Sequence, residues 1–118
     1  MSETVFLPID ALSEQVEAIF RKGGLNAVQA GALGRVIVAG ERDACKSHGI
    51  YRIEGALRTL KAGKVNGNAM PRLEASDGSA IVRVNADGGF ANPAFELGVP
   101  HLVERARAQG IAALVIND

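Results

Sequence analysis

The segment that most limits the fold is the last one. Ile111 to Ile116, IAALVI, is an unbroken apolar run. It is short enough for one strand and lacks the alternation that leaves one face to water. Runs of this kind belong to strands covered on both faces, as in parallel sheets flanked by helices. Such a strand needs neighbours, and the sequence offers few. Ala80–Asn85 reads as one further strand and Arg72–Ala75 as a short one, joined by a turn at Asp77-Gly78. The residues Ile81, Val84 and Ala86 do not alternate cleanly, which leaves the buried face of that strand open. The expectation is an α/β fold, helices plus the first strands of a sheet that further polypeptide completes.

Four helical segments accompany these strands. After an extended piece at Thr4–Leu7 and a turn at Pro8, Leu12, Val16, Ile19 and Phe20 recur at helical spacing from about Asp10. Gly23 and Gly24 suit a left-handed stop. Asn26 suits the N-cap of a second helix through Ala30, Leu33 and Ile37 to about Asp43. Its many small residues predict close packing. Ser47 is placed to cap a third helix with an Ile50, Ile53, Leu57 and Leu60 stripe, ended by Gly63. A loop, VNGNAMP, follows. Asp87-Gly88-Gly89 predicts a turn, then Asn92-Pro93 an N-cap with proline at the first helical position. That helix runs through Leu97, Leu102, Val103 and Ala106 to Gln109, and Pro100 should kink or divide it. The natural division is 1–66, helical, and 67–118, the start of an incomplete α/β sheet.

Thirteen Lys and Arg balance thirteen Asp and Glu, so bulk charge gives no reason to expect a nucleic-acid or membrane partner. The single cysteine, Cys45, allows no internal disulfide and fits a reducing compartment. No basic-then-apolar leader opens the chain and no apolar run is long enough to span a bilayer, so the expected setting is cytoplasmic. Charge is nevertheless clustered. Arg42, Lys46, Arg52, Arg58, Lys61 and Lys64 face only Asp43 and Glu54 in the same stretch. This is either a solvated helix face or a positive surface beside a site for a small anion.

Ser47-His48-Gly49-Ile50-Tyr51-Arg52 lies within that stretch. In a helix starting at Ser47, His48 and Arg52 share one face. The first helical turn would keep His48 neutral. Arg52 offers a planar fork for a carboxylate, and His48 a proton for the neighbouring oxygen or nitrogen. A small 2-oxo, 2-hydroxy or 2-imino acid needs that pair. Each residue also has a plain reading: Ser47 as a cap, His48 as packing, Arg52 paired with Glu41 or Glu54. Cys45 reads as a buried inert thiol, Tyr51 as a packing residue and Asp87 as a turn residue. His101 has no clustered partner, and two histidines with one cysteine make a zinc site an unsupported expectation.

GERDACKSHGIYRIEGALRTLKAGKV resembles the N-terminal signature of the type-2 malate/lactate dehydrogenase family of NAD(P)-dependent oxidoreductases. The likeness extends to the glycine after the first helix, the Gly63-Lys64-Val65 exit and VRVNADGGFANPAF. GIYRI with NADGGFANPA is most similar to the branch reducing Δ1-piperideine-2-carboxylate and Δ1-pyrroline-2-carboxylate. The resemblance implies a non-Rossmann fold, in keeping with the lack of a G-x-G-x-x-G between strand and helix, and a homodimer with its site near the subunit interface. It implies His48 as acid/base residue, Arg52 as ligand of the substrate carboxylate and Ser47 as a group orienting His48. NADPH is the implied cofactor, with NADH the alternative. Most cofactor contacts, and an aspartate supporting the histidine, would lie in a complementary C-terminal polypeptide.

Two positions depart from the family pattern: Ala44, where many relatives have glycine, and Lys46, where malate and lactate types often carry an acid. The expectation is therefore the N-terminal part of a cyclic-imino-acid reductase. The alternatives are part of a malate/lactate-type dehydrogenase, or a non-catalytic truncated interaction module.

Overall fold

In the computed structural model, which describes residues 3–74 and 78–118, helix starts and stops follow local backbone chemistry. Helix α1 spans Ile9–Gly23, and Gly24 ends it in the left-handed region at φ 116°. Helix α2 spans Ala27–Arg42, and the Asn26 side chain accepts a hydrogen bond from the Gln29 amide at 2.9 Å. The third helix, α3, covers only Arg52–Lys61. Strands β1 (Arg72–Leu73) and β2 (Ile81–Asn85) precede helix α4 (Ala91–Gln109) and strand β3 (Ala113–Asn117). Ala75 and Asp77, named above in a strand and a turn, lie outside the described residues. Thr4 to Leu7 is an exposed arm without regular structure.

The end of α2 turns the chain toward the site. The Cys45 amide donates to the Gly40 carbonyl at 2.7 Å and the Ala44 amide to the Glu41 carbonyl at 3.1 Å. This is the Schellman pairing, which demands a left-handed residue between. Ala44 fills that place at φ 59°, where an alanine costs roughly 1–2 kcal/mol. A glycine would adopt this conformation without that cost.

The small residues of α2 are packed, as expected: Ala30, Gly31, Ala32 and Gly34 are buried beside Leu33, Ile37 and Val38. Ala30, Leu33, Ile37 and Val38 form one hydrophobic cluster with Val16, Phe20 and Leu25, against which Leu12, Ile53, Leu57 and Leu60 pack. Val16 and Phe20 are essentially fully buried, each contributing about 1.5–3 kcal/mol. Ile19 and Ile50, placed in the apolar stripes above, are instead 43% and 50% exposed.

The sheet has the order β1-β2-β3, antiparallel between β1 and β2 and parallel between β2 and β3. A parallel pair needs a crossover, and α4 supplies it. Val82, Val84 and Ala86 point inward under α4, so alternation is clean once Ile81 is assigned to the outer face. Gly98 permits the close approach, since a β-carbon there would meet the Leu114 side chain. Of the apolar residues expected along α4, Leu97 packs on the sheet cluster beside the buried Ala94 and Gly98, Leu102 is half-buried and Val103 is exposed. Helix α4 also begins earlier than Asn92-Pro93 suggested, with Phe90 at its N-cap, and it is continuous through Pro100. The Phe90 side chain makes no capping bond, and the Phe90 amide donates to Gln29 Oε1. Strand β3 has a single neighbour among the described residues, with Leu114 and Ile116 on the buried side.

Gln29 joins the helical cluster to the sheet. It is fully buried; its Oε1 accepts from the Phe90 amide at 2.9 Å and its Nε2 donates to the Ala69 carbonyl at 3.3 Å. Arg35 on α2 adds a two-pronged bond to Glu96 on α4, at 2.7 and 2.6 Å. These links set α4 against α2, which matters below. No helix among the described residues is long and apolar enough to cross a membrane.

Candidate active site

The backbone between α2 and α3 is held by close contact and by one carboxylate. A β-carbon on Gly40 would stand 2.6 Å from the His48 carbonyl oxygen and 3.0 Å from the Gly49 nitrogen. Glycine therefore lets the Lys46–His48 turn, a single turn of 3-10 helix, lie directly on α2. From α2, Glu41 reaches over this turn. Its Oε2 accepts from Lys46 Nζ at 2.8 Å and its Oε1 from the Ile50 amide at 3.0 Å. Gly49 is buried against the Glu41 side chain, which fills the space a β-carbon would need.

Those two donors, the Lys46 ammonium first and the Ile50 amide second, hold the Glu41 carboxyl below the usual glutamate range. A lowered folded value means the clamp is intact above the ordinary range and is lost as pH falls through the lowered one. The expected result is that Ile50 amide exchange, normalised to its intrinsic rate, speeds up on acidification through that interval. In Glu41→Gln the same amide should lose protection already at neutral pH. Unchanged protection in both experiments would contradict the clamp.

His48 and Arg52 do not sit on one helix. Gly49, at φ −91° and ψ −140°, breaks the chain between them, and α3 starts only at Arg52, behind a Tyr51 N-cap that makes no side-chain bond. Ser47 is thus not a cap, and His48 ends a short turn rather than opening an α-helix. No α-helix N-terminus therefore lies at the His48 ring from its own segment. Ser47 Oγ instead lies 2.8 Å from His48 Nδ1, with Cys45 Sγ 3.7 Å from the same nitrogen. Arg52 Nε donates to the Ser47 carbonyl at 3.0 Å.

Despite the broken helix, His48 and Arg52 border one cavity of about 480 Å³. Leu33, Val36 and Ile37 of α2, Ala56 of α3 and Phe90 supply its apolar lining. Gly55, Thr59 and Asn92 complete the wall. Both His48 and Arg52 face solvent across this open groove.

The alternative partners for Arg52 are taken. Glu41 holds Lys46 and Ile50, and Glu54 pairs with Arg58. Arg42 pairs with Asp43. Among the described residues Arg52 makes no ion pair, and it alone of the clustered cations lines the groove. Cys45 and Tyr51, expected to be buried or packed, are both exposed; Tyr51 is 76% exposed. The Schellman turn carries Cys45 outward off α2, and Tyr51 projects from the exposed turn before α3. Asp87 is a turn residue at φ 58°, its Oδ2 accepting from the Met70 amide. His101 is exposed, and no cluster suited to a metal exists among the described residues.

The Gly88-Gly89 turn does not fit a dinucleotide phosphate. A β-carbon on Gly89 would collide with Ala69 and Gln29, so that space is filled by protein, and the Gly88 amide donates to the Asp118 carbonyl. Sequence reasoning missed Gly40, Glu41 and Asn92 as parts of the site. For Asn92 the helix-start pattern Asn-Pro hid a groove-lining role. For Gly40 the only signal was a glycine in a helix interior, where it costs about 1 kcal/mol against alanine.

The chain is thus an α/β fold with a mixed, partly built sheet, and it sets a histidine and an arginine on one groove. Residues 7–118 match the malate/L-lactate dehydrogenase family, and the chain belongs to that family. It is 70% identical over 118 residues to a Δ1-pyrroline-2-carboxylate reductase of Agrobacterium fabrum, covering 100% of this chain and 34% of the relative. It is 45% identical over 111 residues to a Δ1-pyrroline-2-carboxylate/Δ1-piperideine-2-carboxylate reductase of Pseudomonas aeruginosa, covering 94% and 33%.

The crystal structure of a Δ1-piperideine-2-carboxylate reductase from Pseudomonas syringae superposes with a TM-score of 0.88 at 35% identity, over 96% of this chain and 34% of that one. A malate dehydrogenase from Entamoeba histolytica, at 21% identity and a TM-score of 0.79 over 97% and 32%, shares the fold. The chain spans about a third of the length of these relatives. The family is one of oxidoreductases, and its dehydrogenase and reductase names imply a nicotinamide cofactor.

Proposed function

We propose that the chain forms the N-terminal third of an NADPH-dependent reductase of Δ1-pyrroline-2-carboxylate and Δ1-piperideine-2-carboxylate, with NADH the alternative cofactor. The observation that carries this reading is the groove shared by His48 and Arg52, apolar apart from a few side chains. A cyclic imino acid presents one carboxylate and an apolar ring edge. The Arg52 terminal nitrogens, free of carboxylate partners, receive the first; Leu33, Val36, Ile37 and Phe90 receive the second. Malate would bring a second carboxylate against apolar walls that offer no second lysine or arginine among the described residues, at the cost of desolvating it.

A nicotinamide, when bound, would supply hydride. Its contacts would lie mostly in the complementary polypeptide, and the complete enzyme would form a homodimer in the cytoplasm. What these residues do is bind and manage a proton. Arg52 fixes the acid, and His48 delivers a proton to the ring nitrogen or stabilises the protonated imine. Ser47 holds Nδ1, leaving Nε2 as the nitrogen that faces substrate. The 1–66 segment brings this pair, and the 67–118 segment closes the groove with Phe90 and Asn92.

In the complete enzyme, Arg52→Lys should raise KM for the imino acid roughly tenfold or more, because lysine lacks the two-pronged donor. The KM for NADPH should stay near the parent value. An unchanged imino-acid KM would remove the carboxylate-clamp role.

A further inference from the structure

We propose that Asn92 is a second substrate-binding residue, its side-chain amide donating to the carboxylate that Arg52 holds. This rests on the reading of the groove as the substrate site. A carboxylate carries about four acceptor positions. Arg52 has already given its Nε–H to the Ser47 carbonyl, so its terminal nitrogens alone are left to cover part of them. Within the described wall, Leu33, Val36, Ile37, Ala56 and Phe90 have no side-chain donor to offer.

Thr59 lines the groove too, but its hydroxyl donates to the Gly55 carbonyl at 2.9 Å. Asn92 is left as the neutral side-chain donor on the wall, with no hydrogen bond of its own side chain among the described residues. It stands in the first turn of α4, in the half of the molecule opposite Arg52. The Gln29 and Arg35–Glu96 links that fix α4 on α2 therefore also fix Asn92 relative to the groove. A substrate held by both residues would bridge α3 and α4.

The test uses the complete enzyme with Δ1-pyrroline-2-carboxylate, and Asn92→Ala and Asn92→Asp beside Arg52→Lys. Asn92→Ala should raise the substrate KM about tenfold, the loss of one hydrogen bond to a charged group, with kcat and the NADPH KM little changed. Asn92→Asp should raise it further, since it sets one carboxylate against another. Aspartate in the first helical turn is favourable for folding, so the Asp variant separates binding from stability. A KM in Asn92→Asp at or below that of Asn92→Ala would overturn the proposal, as would parent-like KM in both. If Arg52→Lys shifts KM while both Asn92 variants match the parent, the Asn92 role fails and the site reading stands. If none of the three shifts it, both fail.

Discussion

His48→Ala in the complete enzyme is expected to lower kcat for Δ1-pyrroline-2-carboxylate by a factor of about 10²–10⁴, the usual share of a positioned acid or base. The substrate KM should change far less, since Arg52 still holds the acid. Dinucleotide affinity should stay close to that of the parent, because the described groove has no phosphate cradle. Two geometric facts make the loss specific to proton handling. Ser47 Oγ and Cys45 Sγ both approach Nδ1, and the ring borders the cavity that Arg52 borders. The ring lines an open groove and is exposed, so its removal should leave the melting temperature nearly unchanged. Turnover within about threefold of the parent, comfortably inside the range that no acid–base residue would give, would show that the proton comes from elsewhere.

Gly40→Ala should act through the same histidine by moving its backbone. In a helix interior, alanine is favoured over glycine by about 1 kcal/mol. Here the added β-carbon would lie 2.6 Å from the His48 carbonyl oxygen and 2.8 Å from its carbon. Neither atom is the end of a flexible side chain, so α2 and the Lys46–His48 turn must separate. Overpacking of this kind costs typically about 1–3 kcal/mol. The expected result is a net loss of stability in denaturant titration together with a fall in kcat, against the sign helix propensity alone would give. A more stable, fully active Gly40→Ala would mean that the turn does not rest on α2. The paired outcomes separate the residues: His48→Ala loses turnover without stability, and Gly40→Ala loses both.

Much of the fold was legible because its helix boundaries are local events. The Gly23-Gly24 stop, the Asn26 cap and the Gly110 stop each depend on a few neighbouring residues, and each appears where the chain predicts it. The third helix was misplaced because Ser47 satisfies a capping pattern whose outcome is decided at a distance. Glu41 and the bare surface of Gly40 hold residues 46–50 in another shape, and neither contact has a signature within the segment. Helix α4 shows the same limit. Asn92-Pro93 reads as a start, yet the helix begins at Ala91 behind Phe90, whose amide is held by Gln29, sixty-one residues earlier in sequence.

The pairing of His48 with Arg52 was legible for a reason that did not hold. Helical spacing predicts a shared face, and the helix is not there. The two side chains still meet one cavity, because a tight turn followed by a glycine brings them round to the same side. The Glu41 and Glu54 alternatives for Arg52 were legible only as possibilities of charge. Lys46, Ile50 and Arg58 close them. Asn92 was invisible as a groove residue because its wall comes from the other end of the chain.

The account depends on a groove that takes one carboxylate and an apolar ring. Its most direct test is the ratio of kcat/KM for Δ1-pyrroline-2-carboxylate to that for malate, each in the appropriate reaction direction, with the complete enzyme. With one arginine and no second lysine or arginine among the described residues of the wall, the ring acid should lead by at least about 100-fold, the scale set by leaving a charged group unpaired. Malate turned over as well as the imino acid, or better, would contradict the account.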